Sequence, residues 1–351
     1  MVYFYAFLYM LFVGGLYDLS VNTLDIRYSV SVKRIFIFLI FIPPFLIAAL
    51  RYQVGTDYMV YLTEKIPGVL NNWSVGIEPL YRILIKIGAG LGNYQLIFIL
   101  THLIIIYFIG ESILKESPLF FISVIAFWGT GFFNYSLNIM RQAIAMSIFL
   151  YALQFIDKDK KKYFFFIFIA CLFHTSAIIY IFYYLIRNIN FKNVRSFLWL
   201  FVFWILKEPI RVILLFITQR IGKYSQYFGS VLDTNKGGWT FLIINLSIYA
   251  VFCFSTYFVK DDDKIQRYIS LQFVTTFITV LSSVLPNYER LMYLFMVVQI
   301  ISIPYVANKL ENIIYKFVFL VIIIFLYAFM FYRLFILGNI GETFPYVSIF
   351  N

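Results

Sequence analysis

Long apolar stretches with no charged side chain decide what this chain can become. Residues 239–259, 268–285 and 317–332 are such stretches, each near the roughly 20 residues that a helix needs to cross about 30 Å of hydrocarbon. Only 13% of the 351 residues are charged and 62% are hydrophobic, whereas an ordinary soluble domain carries about 25% charged residues. The bilayer therefore has to act as solvent. Backbone in lipid must satisfy its own hydrogen bonds, and these runs lack an alternation of period two, so helices are expected rather than a barrel. Counting all such runs gives an all-α polytopic bundle of roughly 10 to 12 membrane segments, one or two of them broken or re-entrant. No linker divides residues 1–351, which read as a single transmembrane domain.

The residues between the runs report orientation. A net charge of +11 raises nucleic acid as a partner, but the basic residues lie in short clusters between apolar segments, as topology signals do. The clusters within 27–34, 158–162, 187–195, 260–267 and 309–316 are expected on the cytoplasmic side. Residues 51–93 then form an outer loop containing an interfacial amphipathic helix, on which Glu78, Arg82 and Lys86 recur at every fourth position. Residues 134–141, 219–238 and 286–290 and the tail after Arg333 fall on the same outer side. Parity makes one of 163–186 and 196–218 a hairpin or a broken helix, with His174-Thr175-Ser176 and Lys207-Glu208-Pro209 as the two candidate breaks.

The first stretch, residues 2–17, lacks a basic flank and a small-residue cleavage site, so it reads as a retained helix and not a signal peptide. Cys171 and Cys253 sit in apolar runs and read as small buried hydrophobes. Asp261, Asp262 and Asp263 fall in a basic loop and read as solvated charge, so no metal and no cofactor is expected.

Positive-inside bias leaves three arginines on the outer side unexplained. Arg51 precedes a Gly-Thr-Asp turn ending in Asp57, followed by Tyr58 and Tyr61; it could simply anchor the interface. Asn134 precedes Asn138, Arg141 and Gln142, whose spacing puts the last three on one helical face, and an arginine there opposes the helix dipole. An anionic partner would account for it. Asn287, Glu289, Arg290 and Tyr293 open a later helix, either as a local ion pair or as a ligand site. His174 lies mid-run beside Thr175 and Ser176, either as a core histidine bonded to a carbonyl or as an intramembrane functional group. Arginines offer bidentate donors to a diphosphate, while tyrosines, amides and carboxylates suit sugar faces and hydroxyls.

The segments R-Y-x-V-G-T-D-Y-x-x-Y from Arg51, E-P-L-Y from Glu78 to Tyr81, F-N-Y-S-L-N-I-M-R-Q-A-I-A from Phe133 and F-H-T-S-A from Phe173 together resemble the EpsG-like family of Wzy-type polysaccharide polymerases. E-R-L-M-Y at Glu289 is a looser match. The resemblance implies a glycosyltransferase of the bacterial cytoplasmic membrane. Such an enzyme joins oligosaccharide repeat units carried on undecaprenyl diphosphate, at the outer face, into capsule, exopolysaccharide or O-antigen-type polymers. Membrane lipids, a flippase and a chain-length regulator would be its partners. On that reading Arg51, Arg141 and Arg290 stabilise the departing diphosphate, and Asp57, Glu289 or His174 supplies the base. Tyr58, Tyr61, Glu78, Tyr81, Asn134, Asn138, Gln142, Asn287 and Tyr293 line the substrate. The rival readings are a transporter of the same lipid-linked sugars and a membrane acyltransferase built around His174.

Overall fold

The computed structural model describes residues 1–222, 225–230, 233, 238–259 and 262–350, with the side chain of Ile221 left aside. Lys260, Asp261 and much of the expected 219–238 outer loop lie outside the described residues. Among those described the chain is helical, with one isolated antiparallel bridge between Arg51 and Ser348 and no sheet. Five helices are long and apolar enough to span a membrane: Val2–Asn22, Val30–Leu50, Gln95–Glu116, Gly238–Ser255 and Ile313–Leu337. The Tyr288–Met296 and Gln299–Lys309 pair raises this to six if taken as one bent span.

The other expected crossings are apolar but interrupted, which is why straight spans are fewer than apolar runs. Gly131, at φ 68°, ends the Phe120–Gly129 stretch. Residues 163–186 break at His174, whose extended backbone (φ −157°, ψ 123°) separates Lys160–Phe173 from the turn leading into Ile179–Ile186. Residues 196–218 also break, at Leu206, between Val194–Ile205 and Lys207–Ile221. The candidate break at His174 is thus a real one, whereas Lys207-Glu208-Pro209 open the later helix and the interruption falls just before them.

The chain packs as two compact units. The first holds Met1–Leu185, Gln299–Asn308 and Phe331–Asn351; the second holds Ile186–Val298 and Lys309–Met330.

In the first unit Val2–Asn22 packs on Val30–Leu50 and on Phe120–Gly129, Val30–Leu50 on Gln95–Glu116, and Gln95–Glu116 on Met140–Ala152, which in turn meets Lys160–Phe173. Every residue of Met140–Ala152 is buried except Arg141 and Tyr151, so this helix is the core. At one end Arg34 donates from Nε to Glu111 Oε1 at 2.8 Å, and Asp18 accepts from the amides of Phe120 and Phe121 at 2.9 Å each. At the opposite ends of the same helices Gln95 Nε2 donates to the carbonyls of Ala49 (2.6 Å) and Arg51 (3.1 Å).

In the second unit Gly238–Ser255 packs on Asp263–Val280, which also meets Tyr288–Met296 and Val194–Ile205. Gln272 Nε2 and Thr276 Oγ1 both donate to the Asn245 carbonyl, at 3.0 and 3.1 Å, a polar tie between helices in a setting with little water. Asp262 caps its helix by accepting from the Lys264 amide at 2.9 Å and pairs with Lys309 at 2.8 Å, so it is not merely solvated charge. Arg211 forms a two-pronged ion pair with Asp233, a feature that the apolar pattern of 196–218 conceals.

Candidate functional site

Most of the residues singled out in the first half of the chain gather at the Gln95 end of the first unit. The Val30–Leu50 helix stops where Arg51 turns extended (φ −64°, ψ 146°). The next residues pair with the tail: Tyr52 N donates to Val347 O at 2.9 Å, Gly55 N to Glu342 O at 3.0 Å, and Ile349 N to Leu50 O at 2.9 Å. Gly55 has φ +95°, and a Cβ there would stand 2.6 Å from Asn138 Oδ1. Only glycine fits that turn without strain.

Arg51 is fully buried. Its Nη1 donates to the carbonyls of Val54 and Leu137, its Nη2 points at Met140 Sδ (3.2 Å), and its guanidinium carbon lies 5.6 Å from the Tyr58 ring centre and 5.3 Å from that of Phe98. Burial lowers its pKa to about 10, and it stays charged at neutral pH. In this conformation the guanidinium faces protein acceptors and rings.

Asn138 does not share a helical face with Arg141, because the helix begins only at Met140 and Ile139 is non-helical (φ −82°, ψ 45°). The amide of Asn138 instead ties three segments together: Oδ1 accepts from Thr56 Oγ1 at 3.1 Å and the Asp57 amide at 3.4 Å, and Nδ2 donates to Gly341 O at 3.0 Å. Asn134 Nδ2 donates to Thr343 Oγ1 at 2.8 Å, and Tyr3 OH donates to the Thr343 carbonyl at 2.8 Å. The tail residues Gly341 and Thr343 therefore belong to this end of the unit. Sequence reading passed over them, and the run of Gly, Asn and Glu after Leu337 was the only hint of a shaped segment.

Arg141 turns the other way. Its Nε donates to Tyr61 OH at 2.8 Å, and its Nη1 donates to Gly76 O at 3.0 Å and to the Glu78 carboxylate. Glu78 uses its other oxygen to accept from the Thr175 amide at 3.2 Å. The anionic partner that the helix dipole called for is thus Glu78, standing just before Pro79–Gly90. This helix buries Tyr81, Leu84, Ile85 and Gly88, while Ile83, Lys86 and Ile87 are exposed. The side chains of Arg141 and Glu78 remain 18% and 11% exposed, so the pair is reachable where Arg51 is not.

His174 is half-buried, and Thr175 beside it is exposed. The trio is no deep core cluster, because the break lifts it out of the helix. His174 Nδ1 and Ser176 Oγ lie 2.7 Å apart, and the ring nitrogen accepts from the Ser176 amide at 3.3 Å.

Tyr81 is wholly buried, its hydroxyl 3.1 Å from Thr101 Oγ1, and Gln142 is buried as well. Tyr58 and Tyr61 are nearly so, while Asp57 is partly exposed. Asn287, Glu289, Arg290 and Tyr293 belong to the second unit. Asn287 takes a left-handed conformation (φ 55°) before Tyr288–Met296, Tyr293 is buried, and Glu289 and Arg290 are half-buried. Among the described residues no three His, Cys, Asp or Glu side chains gather as metal ligands would. Cys171 and Cys253 are both unpaired thiols, the first half-buried and the second buried.

The spans and the charged end together define a multi-pass helical membrane protein. Its partly accessible guanidinium and carboxylate are held where three chain segments meet. The model of the EpsG family matches residues 34–348, and the chain belongs to the EpsG family, a membership that points to a membrane protein of polysaccharide biosynthesis. No curated protein and no solved structure matches it.

Proposed function

We propose that the protein polymerises oligosaccharide repeat units carried on undecaprenyl diphosphate, by glycosyl transfer at the outer face of the bacterial cytoplasmic membrane. The observation that carries this reading is the Arg141–Glu78 pair, a fixed-charge cation kept partly open beside the His174 break in a protein of this family. A hydroxyl of one repeat unit attacks the anomeric carbon of another. The new C–O bond forms as the bond to the diphosphate breaks, and the leaving group departs with the electron pair. Arg141 exchanges Glu78 for diphosphate oxygens and neutralises the developing charge. His174 takes the hydroxyl proton, a task suited to an imidazole near neutral pH. Arg51 positions the turn that carries Asp57 and Tyr58.

The test is reconstitution of the purified protein in liposomes with lipid-linked repeat units isolated from cells in which its gene is deleted. A ladder of lengthened glycans is the expected product. Binding or movement of the units at unchanged glycan size would discard polymerisation and favour a transporter.

Sidedness has its own test. In a chain with Cys171 and Cys253 replaced by alanine, a cysteine at exposed Asn72 should label with an impermeant maleimide added to intact cells, and one at exposed Lys161 only after permeabilisation. The reverse pattern would put the Arg141 end in the cytoplasm.

A further inference from the structure

Behind the Tyr58 ring the first unit opens a cleft of about 810 Å³ with no charged residue in its walls, within the range of roughly 300–1,000 Å³ that small-molecule sites occupy. Its rim carries two tyrosines with open rings, Tyr52 at 42% and Tyr94 at 39% exposure. Its wall is fixed by Gln95, whose amide nitrogen is held by the Ala49 and Arg51 carbonyls and whose Oε1 accepts from Tyr58 OH at 3.3 Å. Asn93 Oδ1 accepts from the backbone N–H of Gln95 at 2.8 Å, which orients the side chain through its oxygen and leaves its N–H donors for a ligand.

We infer that this cleft is a saccharide subsite, holding an uncharged stretch of glycan against Tyr52, Tyr94 and Asn93. Aromatic faces beside preorganised amides suit sugar rings. A phosphate would find no cation there, because Arg51 behind Tyr58 is fully buried and already bonded, and a lipid chain would not need the amides. The geometry also links the cleft to the charged pair. Tyr58 and Leu62, one helical turn apart, face the cleft, while Tyr61 between them meets Arg141. One short helical stretch, residues 57–65, thus touches both the cleft and the charged pair, so a glycan seated in the cleft is anchored beside the segment that holds Arg141. That it is the repeat-unit glycan rests on the polymerase reading.

The test measures binding and needs no turnover. Purified protein in detergent is titrated with the repeat-unit oligosaccharide released from its lipid by mild acid. Tyr94→Ala and Asn93→Ala should each weaken binding about tenfold, Tyr94→Trp should restore it, and Tyr107→Ala, an exposed position further along the same helix, should leave it unchanged. Absence of binding by the wild-type chain, or equal affinity in the Tyr94 and Asn93 variants, would overturn the subsite even where a polymer ladder forms. Binding with this mutational pattern but no ladder would keep the subsite and remove the polymerase reading.

Discussion

Arg141→Ala is expected to cut glycan lengthening by about a hundredfold or more, the cost of removing one preorganised donor from a centre of developing negative charge. The thermal midpoint in detergent should fall as well, because Tyr61, Gly76 and the largely buried Glu78 lose their donor, so lengthening is read per folded protein. Arg141→Lys should recover only a small part of the rate. A lysine carries one compact charge and cannot give Tyr61, Gly76 and an incoming oxygen separate donors in a fixed fork. A ladder of normal length and rate from Arg141→Ala would remove this residue from the chemistry.

Arg51→Ala should fail in a different way. The substitution leaves the Val54 and Leu137 carbonyls without their donor in a sealed interior and opens a gap beside the stacked Tyr58 and Phe98 rings. Unmet buried acceptors and a new cavity together cost about 3 kcal/mol or more. The expected reading is a marked drop in the melting midpoint, with activity lost in step with folded protein, and no rescue by lysine. A variant with the wild-type midpoint but no activity would show instead that this guanidinium meets the substrate.

The contrast between the two arginines marks the limit of what the sequence could say. Membrane character followed directly from charge-free runs, because hydrocarbon admits few alternatives for a backbone. The break at His174 followed from local polar signals, whereas the lysine, glutamate and proline at 207–209 mark the start of a helix and only neighbour the break at Leu206. The anionic partner of Arg141 was anticipated from the dipole argument, but its identity was not, since Glu78 was read as part of a charged stripe with Arg82 and Lys86. The face shared by Asn138 and Arg141 was misread because spacing is informative only inside a helix, and this one starts at Met140. Arg51 could not be told from Arg141 by pattern at all. Whether a guanidinium meets solvent or carbonyls depends on residues far away in the chain, and the Leu137 carbonyl is 86 positions distant.

The tail that lies along residues 51–56 sets a condition on biogenesis. Tyr3 and its acceptor at Thr343 are 340 positions apart, and the amides of Tyr52 and Gly55 likewise wait for Val347 and Glu342. The earliest helices must enter the bilayer long before these partners leave the ribosome. Water, lipid headgroups or an insertase has to shelter those polar groups in the meantime, so this corner closes only after residues 342–347 have been made.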